Sequence, residues 1–396
     1  MTAEAGAEPP LSGLRVFDAT QGVAGPHGTM LMAQHGADVI KVEPPEGDWG
    51  RQIGQVYDGQ FCAHAVAFNR GKRSIALDFK DPAGLAVARR LAAGADIVVE
   101  NFRPGVMARY GLDAATLRAA RPELIYASVT GYGQRGPYRD RGVSDTIMQA
   151  FSGFMSINRD DRGTPRRFGM IAIDVMTGLY LFQAVAAAVL ARFRFGRGAT
   201  IDCNMMQSAA AFQAAKIMEH HLEGAANPVL VAPTGEMPTA DGWLNVSGVK
   251  QEHYEALCRA IGRPDLIVDP SFRTNADRLA RAGEIIAIVQ AEFRKKTTAE
   301  WCAILTEAGV MHAAVADYGD FLANEHVRAV EAVVMADQPG VGPVPHANVP
   351  GAPPIDPAAP LARAPRVGEH GAEILIEAGY GESEIAALLG KGAAAG

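Results

Sequence analysis

Short apolar runs alternate with amphipathic stretches through the first half of the chain. LRVFD (14–18) and ADVIKVE (37–43) read as strands, and between them the turn GVAGPHG is followed by a helix-like run, TMLMAQHG. This is a β-α-β unit, the element from which parallel sheets are built. The pattern recurs: SIALDF predicts a strand, AGLAVARRLAAG a helix, and ADIVVENF, LIYASVTGYG and GATIDCNM further strands. MMQSAAAFQAAKIMEHHLEG predicts one long helix leading away from this α/β domain. From about residue 231 the texture changes. PTADGWLNVSGV predicts a short hairpin, and HYEALCRAIG, ARAGEIIAIVQAEFRKK and TAEWCAILTEAG predict the helices of a smaller α+β domain. Residues 338–366 are crowded with proline, which forbids long helices and predicts an extended strap. HGAEILIEAGY and SEIAALLG predict closing helices, and the terminal GKGAAAG is expected to be disordered.

One long apolar stretch lies between Arg167 and Arg192, and it holds a single charge, Asp174. A carboxylate among Ile171, Ile173, Val175 and Met176 must find hydrogen-bond donors or have its pKa raised by desolvation. Ile171-Ala172-Ile173 reads as a short strand end, and residues 175–195 keep apolar side chains at helical spacing. Asp174 is therefore expected where a helix begins, with the free N–H groups of the first turn holding it ionised. Two readings stand: an N-cap, or a nucleophile.

The 396 residues suggest two or three domains, and a hydrophobic fraction of 48% is that of an ordinary globular protein. A formal charge of −7 argues against wholesale nucleic-acid binding. Cys62, Cys203, Cys258 and Cys302 are scattered, form no C-x-x-C pair and give no ligand spacing with the histidines, so no metal site is expected and the chain reads as reduced and cytoplasmic. MTAEAGAEPPLSG has neither a basic start nor an apolar core, so no signal peptide is expected there. Residues 168–191 approach membrane-span length, but Gly169, Asp174, Gly178 and Gln183 interrupt them, which predicts a buried helix and no membrane partner.

The turn Gly22-Val23-Ala24-Gly25-Pro26-His27-Gly28 has the spacing G-x-x-G-x-x-G, not the G-x-G-x-x-G of dinucleotide-binding folds. It is expected to approach a phosphate-bearing ligand without the specific NAD fingerprint. Arg70, Lys72 and Arg73 precede one strand, while Asn101, Phe102, Arg103 and Arg109 follow another, at the strand exit where parallel sheets gather ligands. These basic side chains are candidates for phosphates, or else solvated charges.

Taken together, the segments LSGLRVFDATQGVAGPHGTMLMAQHGADVIKVEPPEGD, NRGKRSIALDFKDPAG, ADIVVENFRPGVMARYGLD, SVTGYGQRGPY, SDTIMQAFSGFM, FGMIAIDVMTG and GRGATIDCNMMQS resemble the family III CoA-transferases, which include the alpha-methylacyl-CoA racemases. The resemblance continues more weakly in PTADGW, GRPDLIVDPSF and ARAPRVGEH. It implies a Rossmann-like large domain (1–206), a linker helix (207–230), a small α+β domain (231–325), a linker (326–348) and a return to the large domain (349–396), in an interlocked homodimer. It also implies a nucleophile at Asp174 that attacks an acyl-CoA thioester, passing through a mixed anhydride and an aspartyl-CoA thioester before CoA moves to a free carboxylic acid. Coenzyme A is then part of the substrate and no cofactor is held permanently. The CoA contacts carried over are Val23, the stretch Leu77–Lys80, Asn101, Phe102, Arg103, Arg109 and Arg141.

The racemase branch carries a His-Asp pair where this chain has Ser144-Asp145, and a glutamate near Gln251. Neither Ser144 nor Gln251 can act as a general base near neutral pH, which places transferase ahead of racemase. A non-catalytic acyl-CoA-binding protein would have no need of Asp174. His27, His35, His220, His221 and His253 receive no role. The glycine-rich flap of some members has no long glycine run here, which leaves Gly235 and Gly248 as lid candidates. Met205, Met206 and Met218 are candidates for lining the acyl pocket.

Overall fold

The computed structural model describes residues 8–160, 162–224, 229–360, 362–390 and 393–395. Residues 1–7 of the segment read for a signal peptide therefore lie outside the described residues, as do 225–228 of the expected linker. Two compact units emerge. One runs through Ile217 and resumes at Glu331; the other is Met218–Val330.

The first unit is built on six parallel strands: β1 (Arg15–Ala19), β2 (Asp38–Glu43), β3 (Arg73–Leu77), β4 (Ile97–Glu100), β5 (Ile125–Thr130) and β6 (Thr200–Asn204). They lie in the order β3-β2-β1-β4-β5-β6, with Phe17 of β1 in register with Ile40 on one side and Val98 on the other. This is the doubly wound order, which reverses direction at β1. Alternate side chains face opposite layers. Phe17, Ile40, Ile75 and Val98 pack with Val87 and Leu91 and with the closing helices through Ile374 and Leu388. Val16, Val39, Val99 and Ile125 pack against Met32, Leu181, Val185 and Val189.

Those last four side chains belong to α1 (Ala24–Gln34) and α5 (Ala172–Phe195). Between them in sequence lie α2 (Pro82–Gly94), α3 (Val106–Arg109) and α4 (Asp145–Phe151). The glycine-rich turn is shorter than expected, because Ala24–Gly28 already form the first turn of α1. Small residues there serve close packing: a Cβ on Gly28 would stand 2.5 Å from Leu181 of α5, and one on Gly178 would stand 2.6 Å from Nδ1 of His27. α5 is long and apolar enough to cross a membrane by length and composition. Its apolar inner stripe is taken up by α1 and the sheet.

The second unit has three antiparallel strands, β7 (Thr234–Pro238), β8 (Trp243–Ser247) and β9 (Met311–Ala314), with helices 251–260, 282–293 and 298–307 around Tyr254, Leu257, Val289, Phe293 and Trp301.

Three expectations are corrected. The single helix over the 207–230 segment is interrupted at Gln213, between Met205–Phe212 and Ala214–Glu223, where the Gln213 amide donates to the Ser152 backbone and hydroxyl and to the Ala209 carbonyl while the backbone bonds Gln213 N–H to Ala209 and Ile217 N–H to Gln213 run on. The proline-rich strap starts as a hairpin of β10 (Val333–Gln338) and β11 (Gly342–Ala347). Pro343 and Pro345 are tolerated there because a two-stranded ribbon leaves outward N–H positions unneeded. The tail is not all disordered: β12 (Ala394–Ala395) adds an antiparallel edge to β3, while 391, 392 and 396 lie outside the described residues.

The basic run before β3 is structural, not a phosphate site. Lys72 is fully buried and donates from Nζ to Asp18 (3.0 Å), the Pro26 carbonyl (2.9 Å) and Asn69 (2.9 Å). Arg73 is tied to Asp38, Glu373 and Glu377, and buried Arg70 donates to the Ala347 carbonyl. Burial pushes the Asp18 carboxyl upward, but Lys72, Lys41 and the hydroxyls of Thr20 and Thr29 outweigh it and hold the group below its ordinary value. Lys72→Met leaves that buried carboxylate without the ammonium in contact with it, held only by Thr20, Thr29 and the more distant Lys41. The expected cost is about 3–5 kcal/mol, read as a fall in the urea midpoint; a loss under about 1 kcal/mol would mean water replaces the ammonium.

Candidate active site at the carboxyl end of the sheet

Because the strand order reverses at β1, the loops leaving β1 and β4 diverge and open a crevice above the sheet. Its floor is the loop Thr20–Val23, and the buried charges fix that loop. Lys41 donates from Nζ to the Thr20 carbonyl (3.0 Å) and to Asp48 (2.8 Å), and Asp48 accepts the Gly22 N–H (2.8 Å). Asn101, just beyond β4, bridges the crevice. It accepts the Gln21 N–H (2.9 Å) and donates to the Gln21 carbonyl (2.6 Å).

Two cavities open on this floor. One, of about 590 Å3, lies over the ends of β2 and β3 and is lined by Pro44, Leu77, Phe79, Lys80, Val106 and Tyr110 among others. The second, of about 460 Å3, is lined by Val23, Arg103, Arg141, Asp145, Asp174 and Met205 among others. Gln21, Trp49 and Phe102 line both, so the cavities meet there.

Asp174 is the third residue of α5, half-buried in the wall of the second cavity. It does not cap the helix. The residue at the cap position is Ile171, and the work is done from outside by Asp145 of α4: its Oδ2 accepts the N–H of Ile173 (2.7 Å) and of Asp174 (3.2 Å). Gln149, one turn on, donates to Asp145 Oδ1 (2.6 Å) and accepts the Phe168 N–H (2.8 Å), which locks the cap in place. The N–H groups expected to keep Asp174 ionised are thus spent on another carboxylate. Burial, and then the charge of Asp145, push the Asp174 carboxyl up to about 7. A desolvated carboxylate of that basicity is a better nucleophile than a solvated one, and it faces an open cavity.

The remaining candidates fall into place unevenly. Val23, Asn101, Phe102, Arg103 and Arg141 line the Asp174 cavity; Leu77 and Lys80 line the other, and Phe102 joins both. The Asn101 amide is already engaged with Gln21, so its part is to hold the floor. Arg141 stacks on Tyr138, with its guanidinium carbon 3.5 Å from the ring centre. Arg109, exposed on α3, lines neither cavity. Ser144 lines the Asp174 cavity, whereas Gln251 lies in the second unit and its side-chain oxygen accepts from Arg278 (3.0 Å). Gly235 and Gly248 also belong to the second unit, within and just after the β7–β8 pair. Met205 lines the Asp174 cavity, Met206 packs beside it, and Met218 falls in the second unit. His27 is buried with Nδ1 3.0 Å from the Val175 carbonyl, and burial lowers its pKa to about 4, so it stays neutral and structural. Among the described residues no group of three or more His, Cys, Asp or Glu is gathered for a metal. Sequence reading missed Trp49, Gln149 and the capping role of Asp145; an acid three to four residues ahead of a glutamine in a short helix is too common to have signalled it.

Comparison with known proteins gives a consistent set. The family model described as CoA-transferase family III matches residues 11–371. The chain is 35% identical to the succinate–glutarate CoA-transferase of Agrobacterium fabrum, over 93% of this chain and 96% of that one. It is 34% identical to the succinyl-CoA:glutarate CoA-transferase of Mus musculus, over 97% and 90%. Among solved structures, Rv3272 from Mycobacterium tuberculosis superposes with a TM-score of 0.82 at 32% identity, covering 93% of this chain and 99% of that one.

Proposed function

The chain belongs to CoA-transferase family III, and from that premise we propose that it moves CoA from an acyl-CoA to a free carboxylic acid by covalent catalysis on Asp174. The observation that carries this reading is the placement of Asp174. It is a half-buried carboxylate with its pKa raised to about 7, in the wall of a 460 Å3 cavity that shares Gln21, Trp49 and Phe102 with a second one of 590 Å3.

The ionised Asp174 attacks the thioester carbonyl and expels CoA thiolate, leaving an acyl-aspartyl anhydride. The thiolate returns to the aspartyl carbonyl, releasing the first acid as a carboxylate and forming an aspartyl-CoA thioester. The incoming acid attacks that thioester, CoA thiolate leaves again, and its attack on the new acyl carbonyl regenerates Asp174. Each bond broken is matched by an equivalent bond made, so the exchange needs no ATP. On this reading CoA enters as part of the substrate, its thioester at Asp174 and its nucleotide end toward Leu77–Lys80, where Lys80 is the basic residue lining the 590 Å3 cavity. Confinement of thiolate and anhydride in one cavity supplies the proximity that a weak nucleophile requires.

The two named relatives act, by name, on succinate and glutarate. Arg103, Arg139 and Arg141 line the Asp174 cavity here. That concentration of guanidinium groups supports short dicarboxylic acids as the exchanged substrates, with the distal carboxylate held by arginine. The test is a panel of acyl-CoAs offered with free mono- and dicarboxylic acids and read by mass spectrometry, together with digestion of the trapped protein to locate the CoA adduct. An adduct on a residue other than Asp174 removes the assignment. In deuterated water a 2-methylacyl-CoA is expected to stay unlabelled at its α-carbon; rapid wash-in would instead make the chain a racemase.

A further inference from the structure

Trp49 was assigned nothing by sequence, yet it stands where the two cavities meet. Its backbone is set by a short helical turn, Trp49–Gln52, whose start is fixed by Asp48: Oδ1 accepts the N–H of Gly50 (2.7 Å) and of Gly22 (2.8 Å), and Oδ2 binds Lys41. The indole lies against the backbone of Gly22, where a Cβ would stand only 2.3 Å from Cζ2 of the ring. The residue is 60% exposed, although the next two residues of the same turn, Gly50 and Arg51, are buried. An indole left open at the edge of a crevice is a surface that gains free energy when a ligand covers it.

The chemistry at the junction is distinctive. Charged groups line both cavities, Glu43, Glu46, Asp48, Asp78 and Lys80 in one and Arg103, Arg139, Arg141, Asp145 and Asp174 in the other, but the three residues common to both are Gln21, Trp49 and Phe102. A waist of two aromatic rings and one amide suits a thin, uncharged chain of methylenes and amides. We propose that Trp49, facing the crevice with Phe102, is the clamp through which the pantetheine arm of CoA passes, and that it sets the reach of the thioester to Asp174. This rests on the CoA-transferase reading above and names a specificity contact within it.

The chain has three tryptophans, and the other two, Trp243 and Trp301, belong to the second unit. Titration of the full-length protein with free CoA, with pantetheine and with adenosine 3′,5′-bisphosphate, followed by calorimetry and intrinsic fluorescence, isolates Trp49. Trp49→Ala is expected to weaken CoA and pantetheine about tenfold, the scale of one lost aromatic contact, and to leave the bisphosphate unchanged. Trp49→Phe should recover most of that affinity while abolishing the CoA-dependent fluorescence change. Equal CoA affinity in parent and Trp49→Ala, or a fluorescence change that survives in Trp49→Phe, overturns the clamp and leaves the transferase reading standing. Failure of the parent to bind CoA at all overturns both.

Discussion

Asp174→Ala is expected to fold as the parent does and to transfer CoA more slowly by a factor on the order of 10^4 or more, the scale seen when a covalent nucleophile is removed. The folding half of that statement separates two roles for the carboxylate. An N-cap would be missed: its loss costs about 1 kcal/mol. Here the cap is Asp145, and the Asp174 carboxylate is pushed up to about 7 by burial and by that neighbour, so its ionised form opposes folding. The sign follows from linkage. Below pH 4 the group is neutral in both the folded and the unfolded chain and contributes nothing. Between about 4 and 7 the unfolded chain releases its proton and the folded chain does not, so stability declines as pH rises, and above 7 the decline has levelled off. The alanine variant lacks this decline. Its melting temperature should therefore match the parent near pH 4 and exceed it near pH 8, whereas a variant less stable than the parent at pH 8 would return Asp174 to a capping role.

The pattern along the chain carried the six strands and the β-α-β layout because each strand holds a short apolar run bounded by turn residues. It carried Asp174 because one charge in a long apolar run needs an explanation of its own. What it could not carry was any pairing set at long range. Lys72 and Arg73 look like a phosphate-binding run until Asp18, Asp38, Glu373 and Glu377 are brought to them by β1, β2 and the closing helix. Asp145 read only as a departure from a His-Asp pair, since its two backbone partners lie 28 and 29 residues away. Trp49 became meaningful once the loop after β1, the turn after β2 and the loop after β4 converged on one waist. The tail failed for the opposite reason: a low-complexity sequence with little preference of its own was recruited as an edge by the unpaired side of β3.

Asp145→Asn tests whether the nucleophile is positioned and tuned by its neighbour. The substituted amide has one acceptor oxygen where the Asp145 carboxylate has two in use. If that oxygen keeps the N–H groups of Ile173 and Asp174, the new NH2 faces the donating Nε2 of Gln149, and Gln149 cannot turn over without losing the Phe168 N–H. If it turns toward Gln149, the start of α5 loses its cap. Either way a buried donor is left unsatisfied, a penalty of about 1–3 kcal/mol. Removal of the Asp145 charge also takes away the second cause of the raised Asp174 pKa and leaves burial, the larger one. The acid limb of the kcat/KM profile, expected near pH 7 in the parent because only the ionised carboxylate attacks, should move to lower pH without reaching the ordinary aspartate value. At pH 8, where Asp174 is ionised in both proteins, kcat should fall by about tenfold to a hundredfold through lost positioning and reduced basicity, with KM for acyl-CoA nearly unchanged. An acid limb that stays at the parent's pH in Asp145→Asn would show that Asp145 shapes the helix end alone and has no hand in the nucleophile's charge.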